Sequence, residues 1–93
     1  MSRFLLWTPA FVRAMRRFVK KHPQAEAKVR SVLEQLAADA LEPSLKAHKL
    51  GGVMVDSWTC SAGYDLRIIC EFVGHEGSEA IRLLTIGTHD EVY

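Results

Sequence analysis

The sequence predicts an α+β domain in the order strand, helix, helix, strand, strand, strand, with a helix hairpin packed on one face of a small antiparallel sheet. Three observations predict it. Two consecutive stretches near the start carry apolar residues at helical spacing. The three stretches after Gly51-Gly52 are short β-branched or aromatic runs separated by turn residues. Strands joined by short turns must pair antiparallel, which leaves the helices to bury their stripes on one face and the opposite face open. A chain of 93 residues makes one domain, residues 1–93, with a modest core and room for a single site.

Arg3-Phe4-Leu5-Leu6-Trp7 reads as a short apolar strand, closed by Thr8-Pro9. Thr8 can cap a helix and Pro9 is favoured at its first position. Over residues 9–21, Phe11, Val12, Met15, Phe18 and Val19 fall on one face, whereas Arg13, Arg16, Arg17 and Lys20 take the others, so this helix is amphipathic and basic. Pro23 pushes His22 out of helical geometry. A second helix is expected from Pro23 to about Ala40, with Ala25, Val29, Val32, Leu33, Leu36 and Ala40 as its stripe. Leu41 to Leu50 reads as a connection punctuated by Pro43 and Gly51-Gly52, and it gathers Lys46, His48 and Lys49. Val53 to Cys60 reads as a strand, Ser61-Ala62-Gly63 as a hairpin turn and Tyr64 to Val73 as the returning strand. Gly74 to Ser78 turns again into the last strand, from Glu79 through Ile86, whose apolar run is expected to be buried and to deliver the chain's final residues to a sheet edge.

Charge is unevenly spread along the chain. Residues 1–30 carry eight Lys or Arg against one acid, and the rest carry four against ten, although the net charge is only +1. A basic N-terminal third suits a phosphate-rich or an acidic protein partner, or else is a solvated helix face. The small net charge argues against strong binding to naked nucleic acid. No segment approaches the roughly 20 apolar residues that span a bilayer. Six Lys or Arg and no acid over residues 1–21 resemble a presequence in composition, but removing them would delete a strand and a helix. With no secretory signal the chain is expected to be cytoplasmic. Cys60 and Cys70 lack paired metal-ligand spacing and are expected to be reduced core or strand residues.

The candidate site residues lie at the end of the chain and on the third strand. His89 and Tyr93 stand four positions apart; an imidazole beside a phenol suggests proton transfer or base stacking, the alternative being a polar tail that only faces water. Alternation puts Asp65 and Arg67 on one strand face. The last strand lies opposite, so Arg67 is within reach of His89 if that face is open. Otherwise Arg67 pairs with Asp65 or Glu71 as a surface ion pair. His75, in a turn beside Glu76, is expected to be solvated, and His22 to end a helix.

His48-Lys49-Leu50-Gly51-Gly52, Tyr64-Asp65-Leu66-Arg67-Ile68-Ile69 and Leu83-Leu84-Thr85-Ile86-Gly87-Thr88-His89-Asp90-Glu91-Val92-Tyr93, in this order, resemble the RelE/ParE toxin superfamily, and within it the YafQ-like branch of messenger RNA endonucleases. The resemblance runs through nearly the whole chain. It implies a RelE-like, microbial-RNase-like fold and a type II toxin that a cognate antitoxin neutralises, cleaving mRNA in the ribosomal A site without metal or cofactor. It also implies site residues: His48 before the Leu-x-Gly turn, Asp65 opening the third strand, Arg67 after it, and His89 with Tyr93 at the end. Metal-free RNA cleavage needs a base for the 2′-hydroxyl, an acid for the departing 5′-oxygen and cations for the phosphate. His89 and His48 fit the first two, Asp65 would orient an imidazole or act as base, and Arg67 would stabilise the growing charge. Lys46 and Lys49 would hold flanking phosphates, and Tyr93 would stack on or orient a base. The chain departs from the pattern in having no histidine in Trp58 to Gly63, in Cys70 where an aromatic residue is common, and in its weak net charge. A ParE-like gyrase-binding toxin without nuclease activity and an inactive toxin paralogue are the alternative readings.

Overall fold

The computed structural model describes residues 3–39, 45–49, 57–62 and 65–92. Strand β1 is Phe4–Trp7. Thr8 then caps helix α1, Pro9–Lys21, with Pro9 in the first helical position. The Thr8 hydroxyl oxygen accepts from the Phe11 amide at 3.1 Å and the hydroxyl itself donates to the Leu83 carbonyl at 2.7 Å, so the cap that starts the helix also pins it to the last strand. His22 ends α1, its N–H on the Phe18 carbonyl at 2.9 Å and its ring 4.9 Å from that of Phe18. Pro23–Ala25 makes a tight 3-10 turn before helix α2, Glu26–Ala38. There follow β2 (His48–Lys49), β3 (Trp58–Ala62), β4 (Leu66–His75), β5 (Ser78–Thr88) and a single helical turn, α3 (His89–Val92).

The strands form one sheet in the order β1-β5-β4-β3-β2. The expected α+β class and helix-then-meander order are borne out, with β2 added in the stretch read as a connection. β2 to β5 run antiparallel. β1, however, pairs parallel to β5, with Phe4 opposite Ala80 and Trp7 opposite Leu83, so the sheet is mixed. The short-turn constraint binds only the meander, whereas β1 is separated from it by two helices and is free to enter beside β5 in either direction. As a result β5 lies inside the sheet, in keeping with the buried strand expected, and His89, which it delivers, stands where the strand ends. The β4–β5 turn, Glu76-Gly77, has both residues at positive φ (51° and 79°), the handedness that matches strand twist in a two-residue hairpin.

The helices cover one face. Phe11, Ala14 and Phe18 of α1 and Val29, Val32, Leu33 and Leu36 of α2 are buried against Leu66, Ile68, Cys70, Ile81, Leu83 and Ile86. Three residues of the expected α1 stripe, Val12, Met15 and Val19, are only half-buried, and with Trp7 they line a groove of about 630 Å³. Cys60 and Cys70 are both free and buried; the neighbouring Cys60 thiol and burial push the Cys70 thiol up, so it stays protonated. On the face away from the helices Thr59, Ile69 and Ala80 are fully buried, which corrects the expectation of a wholly open surface; charged groups stand there where Glu71 meets Arg82 at 2.6 Å and at Arg67. Among the described residues no helix is long and apolar enough to cross a membrane.

Pairing of β4 with β5 slips once. Ile69 lies opposite Thr85 but Cys70 lies opposite Leu83, which leaves Leu84 as an extra residue and reverses the alternation of β5. That slip lets Ile81, Leu83 and Ile86 all face the helices although their spacing is uneven. The core, not the exposed aromatics, should carry the stability. Phe11→Ala, at a fully buried ring, is expected to cost about 3–5 kcal/mol, and Phe4→Ala, at a residue 63% exposed, less than about 0.5 kcal/mol, both read from urea-unfolding midpoints.

Candidate functional site

The β4–β5 register fixes which sequence-predicted residues can meet. Leu66 lies opposite Thr88 and Arg67 opposite Gly87, so Asp65 and His89 continue the same pairing just beyond the two strands. Asp65 is exposed in the turn before β4, and its Oδ1 accepts the His89 amide at 3.2 Å. This bond joins two of the predicted residues through the backbone, rather than through the imidazole. The His89 ring is exposed, with Nδ1 3.5 Å from Asp90 Oδ1.

Arg67 is half-buried on the face away from the helices, and its Nη1 donates to the Leu66 carbonyl at 3.1 Å. The surface ion pair considered as its alternative role falls elsewhere, since Glu71 pairs with Arg82. Gly87 opposite it adds no side chain to that row. His48 pairs with Thr59, which pairs with Ile69, so the backbone of position 48 enters the row next to that of Arg67, Ser61 and Gly87. Lys46 is exposed just before β2 and adopts a left-handed conformation at φ 50°. Lys49 pairs with Trp58, and its ammonium lies 6.0 Å from the Trp58 ring centre. Trp58 packs against the core, so Lys49 belongs to the face opposite Arg67. Tyr93 lies outside the described residues. His75 is set apart, edge-on to Phe4 at 6.1 Å.

Sequence reasoning passed over the residues that shape the chain end. Thr88-His89-Asp90-Glu91 is a capping box, whose signature is a threonine followed three residues later by glutamate. The Thr88 amide donates to Glu91 Oε1 at 2.8 Å and the Glu91 amide to Thr88 Oγ1 at 3.3 Å. Glu91 Oε2 meets Lys21 Nζ from the end of α1 at 3.4 Å. A Cβ on Gly87 would stand 3.0 Å from Glu91 Cβ, 3.1 Å from Oε1 and 3.2 Å from Val92 Cγ1, so the glycine is what lets the turn fold back. The spacing was legible, but a strand running straight into a cap hides it, because the usual cue is an apolar helical run following.

The Thr88 amide beside Glu91 holds its carboxyl below the usual glutamate range against the opposing effect of burial, with lesser help from Lys21 and the Thr88 hydroxyl. A depressed pKa means that this contribution is present above the ordinary glutamate pKa and is lost as pH falls through the lowered one. The Thr88 amide resonance should therefore titrate with a midpoint below that of an ordinary glutamate. In Gly87→Ala, where the new methyl displaces Glu91, that midpoint should return to the ordinary range, as followed by NMR against pH.

A family model described as "Bacterial toxin of type II toxin-antitoxin system, YafQ" matches residues 3–93. No sequence among the curated proteins matches the chain. Among solved structures, YafQ from E. coli strain BL21(DE3) superposes with a TM-score of 0.79 at 15% identity, covering 98% of each chain. The E. coli DinJ-YafQ toxin-antitoxin complex gives 0.77 at 16% identity over 100% of this chain and 99% of that one. A YoeB/ParE toxin from Agrobacterium tumefaciens gives 0.74 at 14% identity over 92% and 98%. At such identities these structures speak for the fold, a RelE-like arrangement, while the family model spans nearly the entire sequence. The chain belongs to the YafQ family of bacterial toxins of type II toxin-antitoxin systems.

Proposed function

We propose that this chain is a ribosome-dependent mRNA endonuclease that cleaves without a metal, by attack of a ribose 2′-hydroxyl on the adjacent phosphate. The observation that carries the reading is the bond from the His89 amide to Asp65, next to the row that pairs Arg67 with Gly87. It fixes the backbone that carries an exposed imidazole two residues beyond Gly87, whose missing side chain leaves space opposite Arg67. In the reaction a base takes the 2′-proton, O2′ bonds to phosphorus, the bond from phosphorus to O5′ breaks, and an acid returns a proton to O5′. A 2′,3′-cyclic phosphate and a 5′-hydroxyl result. His89 and His48 share the two proton transfers, imidazole being suited to both directions near neutral pH. Asp65 sets the backbone of His89, and Arg67 stabilises the charge that gathers on the phosphate oxygens. Lys46 holds a flanking phosphate and Lys49 another from the far side of β2, while Tyr93 stacks on a base.

A cognate antitoxin is the expected protein partner, and the groove on the helix pair suits it. Trp7, Val12, Met15 and Val19 give an apolar floor, and Arg16 and Lys20 a basic rim beside the Arg30–Glu26 ion pair. An acidic amphipathic helix matches both the floor and the rim. The cytoplasm, where ribosomes and antitoxin are found, is the compartment this activity requires.

The test is primer extension on mRNA in a reconstituted translation reaction. The parent chain should cut translated message and leave gyrase supercoiling intact. His89→Ala should slow cleavage by about 10²- to 10⁴-fold and Arg67→Ala by about 10²- to 10³-fold, with unfolding midpoints unchanged. Intact message together with loss of supercoiling would make the chain a gyrase poison, and inertness in both assays an inactive paralogue.

A further inference from the structure

We infer that Glu91 is a positioning residue for His89, acting through the capping box that bends the end of β5 into α3; the inference rests on the role of His89 proposed above. A helix of four residues has no stability of its own, because nucleation costs more than one turn of hydrogen bonds returns. α3 buries no residue completely, so packing alone does not hold it. What holds it is a set of side-chain bonds to amides that a first helical turn leaves unsatisfied. Glu91 takes the Thr88 amide, Thr88 takes the Glu91 amide, and Asp65 takes the His89 amide between them. The backbone of His89 is thus fixed by two carboxylates at one end of the β4–β5 pairing, Asp65 from just before β4 and Glu91 from just after β5.

Glu91 is tied in two further directions. Its second oxygen reaches Lys21, which links the turn to α1, and its Cβ and Oε1 fill the space over Gly87. Lys21 also offsets a negative charge that would otherwise oppose an approaching phosphate. The bond to Lys21 is solvent-exposed and long, so the geometry should depend on the capping oxygen more than on this ion pair. A glutamine can accept from Thr88 through its amide oxygen and complete the same box, whereas an alanine cannot.

The experiment compares Glu91→Ala, Glu91→Gln and Lys21→Ala in single-turnover cleavage on programmed ribosomes, with NMR of the His89 ring and amide in the isolated chain. Glu91→Ala is expected to lower kcat by about 10- to 100-fold, the scale of a misplaced catalytic group, with KM nearly constant and the His89 resonances displaced. Glu91→Gln and Lys21→Ala should stay within about threefold, since both keep the capping oxygen, and should retain parental His89 resonances. Glu91→Ala cleaving at the parental rate, or Glu91→Gln failing as badly as Glu91→Ala, would overturn the inference. A parent that does not cleave at all would overturn the preceding reading and any role of Glu91 in cleavage, while undisturbed His89 resonances in Glu91→Ala would overturn the clasp itself.

Discussion

Ten paired positions between β4 and β5, from Leu66 opposite Thr88 to His75 opposite Ser78, set nearly everything else in this molecule. A shift of one residue in such a ladder exchanges the faces of every side chain. Here the exchange is used once, at Leu84, where the extra residue keeps Ile86 facing the helices on one side of the slip and Leu83 and Ile81 on the other. The same slip brings Gly87 opposite Arg67 and Thr88 opposite Leu66. Without it, either the apolar half of β5 nearest the hairpin or the half nearest the chain end would lie on the wrong face, and Asp65 would not reach the amide of His89.

Local chemistry explains how much of this was legible in the sequence. The Thr8-Pro9 start, the His22-Pro23 break and the Val29 to Leu36 part of the α2 stripe are signals confined to a few neighbouring residues and appear where expected, whereas Ala25 falls in the 3-10 turn before α2 and Ala40 lies outside the described residues. The parallel entry of β1 beside β5 was not legible, because no turn connects them and strand direction is decided by how the helix pair returns. The bulge at Leu84 was equally hidden: Ile81, Leu83, Leu84 and Ile86 read as one continuous apolar run, which tolerates either phase. Of the site, the proximity of Asp65, Arg67 and the final strand followed from alternation and antiparallel pairing. That Asp65 would meet the amide of His89, and not its ring, depended on the chain curling after Thr88.

Charge is organised locally, which is why a net value of +1 says little about partners. Several cations are already committed: Arg3 to Glu79, Arg30 to Glu26 and Arg82 to Glu71. Exposed pairs of this kind contribute under about 1 kcal/mol each, but the Arg3–Glu79 and Arg82–Glu71 pairs neutralise charge on the β4–β5 surface, and the Arg30–Glu26 pair does so along α2. Arg13, Arg16, Arg17 and Lys20 concentrate positive potential on the exposed side of α1, whose last residue, Lys21, reaches Glu91 beside the end of β5 that carries His89. The first surface is broad and basic over a partly apolar groove, the second is narrow and set by single groups, and the end of α1 joins the two.

The site and the core are held by different forces, and this separates their sensitivities. Burial of Phe11, Leu36, Ile68 and Ile81 responds to volume, so a methylene lost there changes stability throughout the molecule. The turn carrying His89 answers instead to the hydrogen bonds that Asp65 and Glu91 accept, to the protonation of Glu91 and to the bare backbone at Gly87, none of which contributes to the apolar core. A carboxylate that loses its charge releases an amide without opening a cavity. The chain end can thus change its geometry while the sheet beneath it stays intact, and the imidazole's position is governed by hydrogen bonds from two strand ends instead of by close packing.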